Sequence, residues 1–183
     1  LKPAILEHLY PHASPANEHI TMQIATQVHK YPVAANALIR FSDGELAYIT
    51  RRFDRLNDGT KLAQEDFCQL LQKSSDLGGQ NYKYTGAYED ARAIFEKYVT
   101  APIPMIENYF KYIVFNYLYH NGDAHFKNFS LYFKANRYQL TPLYDLMNTR
   151  LHIPSEQALA MSEGLYHGDL HTPAYQANGF YSL

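Results

Sequence analysis

The chain has 183 residues, 46% of them hydrophobic, and its 16 Lys and Arg stand against 18 Asp and Glu for a net charge of −2. That is enough apolar material for one good core or two small lobes, which excludes a disordered chain, and the balance of charge excludes a broad basic surface for nucleic acid. A single cysteine, Cys68, rules out an internal disulfide and fits a reducing, cytoplasmic compartment, and no signal peptide or membrane span is visible.

In chain order, Asn17 is placed to N-cap a helix running to about His29, with Ile20, Ile24 and Val28 recurring on one face and Glu18 in the first turn. Residues 38–41 and 46–53 alternate around Ser42-Asp43-Gly44, a hairpin signal whose second strand leads to Arg51, Arg52 and Phe53. Residues 54–62 exchange apolar periodicity for Arg, Asn, Asp and Gly and read as a linker. Helical patterns follow over 64–73, 87–99 and 104–119. Cys68, within Phe67-Cys68-Gln69-Leu70-Leu71, reads as helix core rather than as a nucleophile. The 17 tyrosines, among them Tyr109, Tyr112, Tyr117 and Tyr119 in the last helix, read as packing residues rather than a platform for bases. Residues 129–133 and 138–141 form two short strands joined by a turn at 134–137. The fold class is α+β: a small α/β lobe over 1–57, then a mainly helical lobe over 58–183.

Between the last helix and the second hairpin lies His120-Asn121-Gly122-Asp123-Ala124-His125-Phe126-Lys127-Asn128, and seventeen residues after Asn128 stands Asp145. In phosphoryl transfer from ATP, an aspartate orients and deprotonates the acceptor hydroxyl, an asparagine five residues on holds magnesium, and a second aspartate bridges magnesium to the phosphates. Asp123, Asn128 and Asp145 fit those roles, and the hairpin between them returns Asp145 to the loop. Lys127 is placed to neutralise charge on the transferred phosphoryl. His125 is placed to support the loop and the nucleotide side of the site. The competing reading, a solvated polar loop after a helix, explains the loop alone but not the set. A second stretch, His167-Gly168-Asp169-Leu170-His171, imitates the catalytic loop of aminoglycoside and choline phosphotransferases. It fails the same test, because Ala174 stands where a metal ligand is needed and no carboxylate follows.

With those residues in hand, the chain resembles the C-terminal kinase region of HipA-type serine/threonine kinases, the toxins of bacterial toxin–antitoxin systems. The likeness rests on Leu1-Lys2-Pro3, Asn17-Glu18, Arg52-Phe53-Asp54-Arg55, Gln64-Glu65-Asp66-Phe67, residues 121–129 and Thr141-Pro142-Leu143-Tyr144-Asp145, and covers about the first 150 residues. It implies a protein-kinase-like two-lobe fold using ATP and Mg2+. Lys2 would contact the phosphates and pair with Glu18, with Arg51 and Phe53 at the hinge beside adenine. It also implies a protein substrate with a serine or threonine acceptor, such as a cytosolic aminoacyl-tRNA synthetase, and a helix-turn-helix antitoxin as partner. Leu146 and Met147 depart from the Phe-Gly that follows the metal aspartate in ordinary protein kinases. The chain also opens at the lysine strand without an initiator methionine, so the expectation is an excerpt of a longer kinase, inactive alone for want of a phosphate-covering loop. Two alternatives stay open: a small-molecule phosphotransferase, and a silent kinase fold used as a binding module.

Overall fold

A computed structural model describes Lys2, residues 9–161, Glu163 and Gly164. The first helix, α1 (Ser14–Gln27), begins before Asn17. Pro15 sits in its first turn, where a missing N–H costs nothing and the fixed φ suits the helix. Asn17 therefore does not cap the helix. Its side chain is free to reach Asn148, donating from Nδ2 to the carbonyl at 2.8 Å and accepting the Asn148 N–H at 3.1 Å. The expected apolar face is also corrected. Ile20 and Val28 are exposed, and α1 instead buries Glu18, Thr21, Met22 and Ala25. A buried face carrying a carboxylate and a hydroxyl breaks the simple periodicity rule, because those groups have partners inside.

Strands β1 (Asn36–Arg40) and β2 (Leu46–Thr50) form the expected antiparallel hairpin, with Asn36 opposite Thr50 and Arg40 opposite Leu46. Gly44, at φ 93°, closes the turn, a conformation that an L side chain resists. Lys2 lies against β2, exchanging backbone hydrogen bonds with Tyr48 at 2.9 and 3.1 Å. α1 packs on both strands.

The expected linker folds back on itself. The Leu62 N–H donates to the Asp54 carbonyl at 2.8 Å, and the buried Asp54 carboxylate takes a two-pronged bond from Arg52 at 2.8 and 2.6 Å. The helix expected over 64–73 splits into strand β3 (Gln64–Asp66) and one turn of helix, α2 (Phe67–Leu70). Asp66 decides this: its backbone is extended, its carboxylate accepts the Gln69 N–H at 2.9 Å, and the Gln69 side chain reaches back to the Asp66 N–H at 3.3 Å. That reciprocal capping box starts a helix and forbids its extension backwards.

α3 (Ser75–Gly78), two 3-10 turns at Tyr82–Tyr84 and Tyr88–Asp90, α4 (Ala91–Tyr98) and α5 (Pro102–Leu118) follow. β4 (Ser130–Lys134) then pairs with β3 on one side and β5 (Arg137–Leu140) on the other. Ala135 and Asn136 both take positive φ, the backbone of a tight hairpin turn. No described helix is long and apolar enough to cross a membrane.

The core is aromatic. Phe67, fully buried, has its ring 5.7 Å from Phe95, 5.5 Å from Tyr109 and 6.0 Å from Phe129. These centroid distances are those of edge-to-face and tilted ring pairs. Tyr109 and Tyr112 are buried, as expected of packing residues, and burial pushes the Cys68 thiol up to about 11, so it is a core side chain. Phe67→Ala is expected to cost about 3–5 kcal/mol through lost burial and an unfilled cavity. Urea denaturation measures this, and a loss below about 1 kcal/mol would show that the aromatic cluster is not the stabilising core.

Candidate active site

The loop after α5 is built by buried polar contacts. The chain leaves the helix at His120, with φ at 50°, and Asn121 turns inward, 2% exposed. Its Nδ2 donates to Asn116 Oδ1 at 2.7 Å and to the Asp145 carbonyl at 3.3 Å, while Asn116 itself donates to the Tyr112 carbonyl at 2.8 Å. Asn121 thus ties the helix, the loop and Asp145 together. Next, the Gly122 N–H donates to Thr149 Oγ1 at 2.9 Å, and that hydroxyl donates to the His120 carbonyl at 3.1 Å. A Cβ at Gly122 would stand 2.5 Å from both the Gln157 carbonyl and Glu156 Cγ, so the close approach requires glycine.

Asp123 follows, half-buried. Its Oδ1 accepts from the Tyr84 hydroxyl at 2.5 Å and lies 3.5 Å from His125 Nε2. Burial lowers the pKa of His125, against the opposing pull of Asp123, so the ring is a neutral support rather than a charge carrier. Burial and the bond to Asp123 together push the Tyr84 phenol up, which keeps it a proton donor. Asn128 closes the loop, its Nδ2 donating to the Asp123 carbonyl at 2.7 Å.

Asp145 arrives from the other side. Leu143 exchanges backbone hydrogen bonds with the segment after α1: the Ala34 N–H donates to its carbonyl at 2.8 Å, and its own N–H donates to Pro32 at 2.9 Å. The Tyr144 hydroxyl meets Ser130 Oγ at 2.7 Å and the Lys127 carbonyl at 2.9 Å. Asp145 itself sits at φ 57°, a left-handed conformation aspartate tolerates better than most residues. Its carboxylate is bonded to Lys2 Nζ, which also donates to Glu18 Oε1 at 2.9 Å. Partial burial works against charge on Lys2, but Asp145 and Glu18 outweigh it and hold the ammonium above its ordinary value. Burial raises the Glu18 carboxyl, with Lys2 opposing. The 2.9 Å contact and the strengthened ammonium identify an ion pair.

The structure therefore gathers Lys2, Glu18 and Asp145 in one cluster, holds Asp123, His125 and Asn128 in one loop, and joins the two through Asn121. Lys127 is exposed, with Nζ 3.4 Å from the Tyr82 hydroxyl. Phe53 has its ring tilted against Tyr144 at 5.7 Å and edge to face with Tyr132 at 6.2 Å, next to the Asp145 segment. Arg51 turns its side chain to Asn57 in the folded-back linker. The His167–His171 stretch lies outside the described residues. Tyr84, Asn121 and Tyr144 were not foreseen as site residues. Asn121 and Tyr144 carried a visible signal, their places inside the loop motif and the 141–145 segment; Tyr84 comes from a segment that announces nothing locally.

Two oxygen donors face the chemistry magnesium asks for. With the amide nitrogen of Asn128 committed to the Asp123 carbonyl, its oxygen remains to bind a cation, and Asp145 supplies a carboxylate. Among the described residues no three His, Cys, Asp or Glu side chains gather as a metal cage. A hard cation held by one or two protein oxygens plus substrate phosphates suits what is present.

The model of the HipA-like C-terminal domain family matches residues 1–176. The chain is 30% identical over 160 residues to the serine/threonine-protein kinase toxin HipA of Shewanella oneidensis, an alignment covering 80% of this chain and 36% of that protein. A Haemophilus influenzae protein with a provisional name as a kinase is 29% identical over 156 residues, covering 81% of this chain and 44% of that one. Among solved structures, the complex of Shewanella oneidensis HipA, HipB and operator DNA matches with a TM-score of 0.67 and 27% identity, over 82% of this chain and 38% of that one. The chain spans less than half the length of these relatives. By the family match along nearly its whole length, and by the fold shared with HipA, the chain belongs to the HipA-like C-terminal domain family.

Proposed function

We propose that this chain is the catalytic region of an ATP- and magnesium-dependent serine/threonine protein kinase of HipA type, the toxin of a toxin–antitoxin pair. The observation that carries this reading is the joining of two clusters: Lys2, Glu18 and Asp145 on one side, Asp123 and Asn128 on the other, linked through Asn121. Residues 1–57 would form part of a small lobe and 58–183 a mainly helical one, as in kinases.

In this reading Asp123 takes the proton of a serine or threonine hydroxyl as the new oxygen–phosphorus bond forms and the bond to ADP breaks. Its contribution is chiefly positioning, because the transition state of phosphoryl transfer is loose. Asn128 and Asp145 would hold magnesium, which when bound neutralises phosphate charge. Lys2, kept charged by two carboxylates, turns to the nucleotide phosphates while Glu18 retains it. Lys127, exposed at the end of the loop, faces charge on the transferred group. Phe53, tilted against Tyr144, would line the adenine side together with Arg51. The substrate would be a cytosolic translation factor such as an aminoacyl-tRNA synthetase. A helix-turn-helix antitoxin would silence the kinase, a reading supported by the HipB and operator DNA in the related complex.

Incubating the complete protein with γ-labelled ATP, magnesium and a cytosolic extract tests the substrate class. Label on a serine or threonine of one protein is the expected result. Label confined to a small-molecule fraction would replace this reading with a small-molecule phosphotransferase.

A further inference from the structure

We infer that Tyr84 is a positioning residue for the reaction: its hydroxyl holds Oδ1 of Asp123 and so assigns the other oxygen, Oδ2, to the acceptor hydroxyl. The inference rests on the reading of Asp123 as the base. The geometry is specific. The Tyr84 hydroxyl donates to Oδ1 at 2.5 Å, and His125 Nε2 approaches the same atom at 3.5 Å. The two rings meet edge to face at 5.0 Å, so phenol and imidazole brace one another as well as the carboxylate.

The segment that carries Tyr84 is itself fastened down. Lys73 Nζ donates to the Thr85 carbonyl at 2.8 Å and stands 3.6 Å from Asp90 Oδ2. A Cβ at Gly86 would lie 2.5 Å from both the Lys73 and Asp90 side-chain ends, so the chain passes them closely. Tyr82, two residues before Tyr84, meets Lys127 of the catalytic loop at 3.4 Å. A phenol held this way fixes χ2 of Asp123, a torsion that is otherwise soft. In the transfer step the acceptor proton passes to Oδ2, the acceptor oxygen bonds to the γ-phosphorus, and the bond to ADP breaks.

Losing this hydrogen bond frees χ2 of Asp123 and lets either carboxylate oxygen meet the acceptor, so the cost falls on the transfer step. The titratable groups near this carboxylate and its two partners are Lys83, Tyr88, His125, Glu156 and Asp145. All of them remain in Tyr84→Phe. In the complete protein that variant is expected to lower kcat about tenfold with KM for ATP and for the acceptor unchanged. Thermal melting of Tyr84→Phe should match that of wild type, so that the loss in kcat is not a loss of folded protein. A rate loss that tracks a lowered melting temperature, or that falls on KM for ATP instead of kcat, would reduce Tyr84 to packing and overturn the inference. A higher kcat with a lower acceptor KM would overturn it too, because Tyr84 would then be competing with the acceptor. Asp123→Asn, run beside it, separates the two claims. If that variant still transfers phosphate, the reading of the base fails; if it does not and Tyr84→Phe behaves as wild type, only the present inference fails.

Discussion

Asp123→Asn is expected to lower kcat by about a thousandfold and to leave magnesium-dependent ATP binding unchanged. The substitution preserves shape, and an amide oxygen still accepts the Tyr84 hydroxyl that Asp123 Oδ1 accepts at 2.5 Å. The loop should therefore stay in place, held by Asn121, by Gly122 on Thr149, and by Asn128 on the backbone carbonyl of residue 123. What disappears is the negative charge and the site for the acceptor's proton. ATP affinity is expected to survive because Asp123 is assigned to the acceptor, whereas Lys2, Asn128 and Asp145 are assigned to the nucleotide and its metal. Initial rates of transfer and calorimetric titration with magnesium and ATP measure the two halves separately. A kcat within tenfold of wild type would remove Asp123 from the mechanism.

Asp145→Asn acts on the other half, weakening ATP binding in the presence of magnesium by on the order of a hundredfold. Asparagine tolerates the φ of 57° nearly as well as aspartate, so the backbone should not be disturbed. The lost carboxylate has two duties, however: it is a proposed magnesium ligand, and it shares Lys2 with Glu18. Titrations with and without magnesium separate them. The metal part of the loss should vanish when magnesium is omitted, and only the part carried through Lys2 should remain, because that part does not depend on a divalent cation. If Asp145→Asn kept the full magnesium dependence of wild type, the metal would have to be held elsewhere.

The loop motif was readable because its meaning lies in spacing. Asp123 and Asn128 share one short loop, and the 129–141 hairpin that returns the chain toward Asp145 was visible as two β-rich runs. The Lys2 and Glu18 pair was foreseeable only through the family resemblance, since sixteen residues separate them and no local pattern joins them. Three features misled. Asn17 looked like a cap because it precedes a helical run, yet the helix starts earlier on Pro15 and Asn17 serves Asn148 instead. The face of Ile20 and Val28 looked buried, but α1 turns Glu18 and Thr21 inward toward polar partners. Gln64-Glu65-Asp66 carried a helical pattern, and it became a strand because β4 was available to pair with it and Asp66 capped the turn that follows. Tyr84 was illegible for the same kind of reason. Its role depends on a contact with Asp123, 39 residues away in sequence, that only tertiary structure creates.

A single-turnover reaction of the complete protein with Mg2+ and ATP in limiting amount, with an extract as acceptor, decides whether phosphate is transferred. ADP and phosphoserine or phosphothreonine are counted in the same quench. They should appear together in equal amounts, at a rate that Asp123→Asn abolishes. ATP that is bound and returned intact would contradict this and leave a kinase-like fold that binds without transferring.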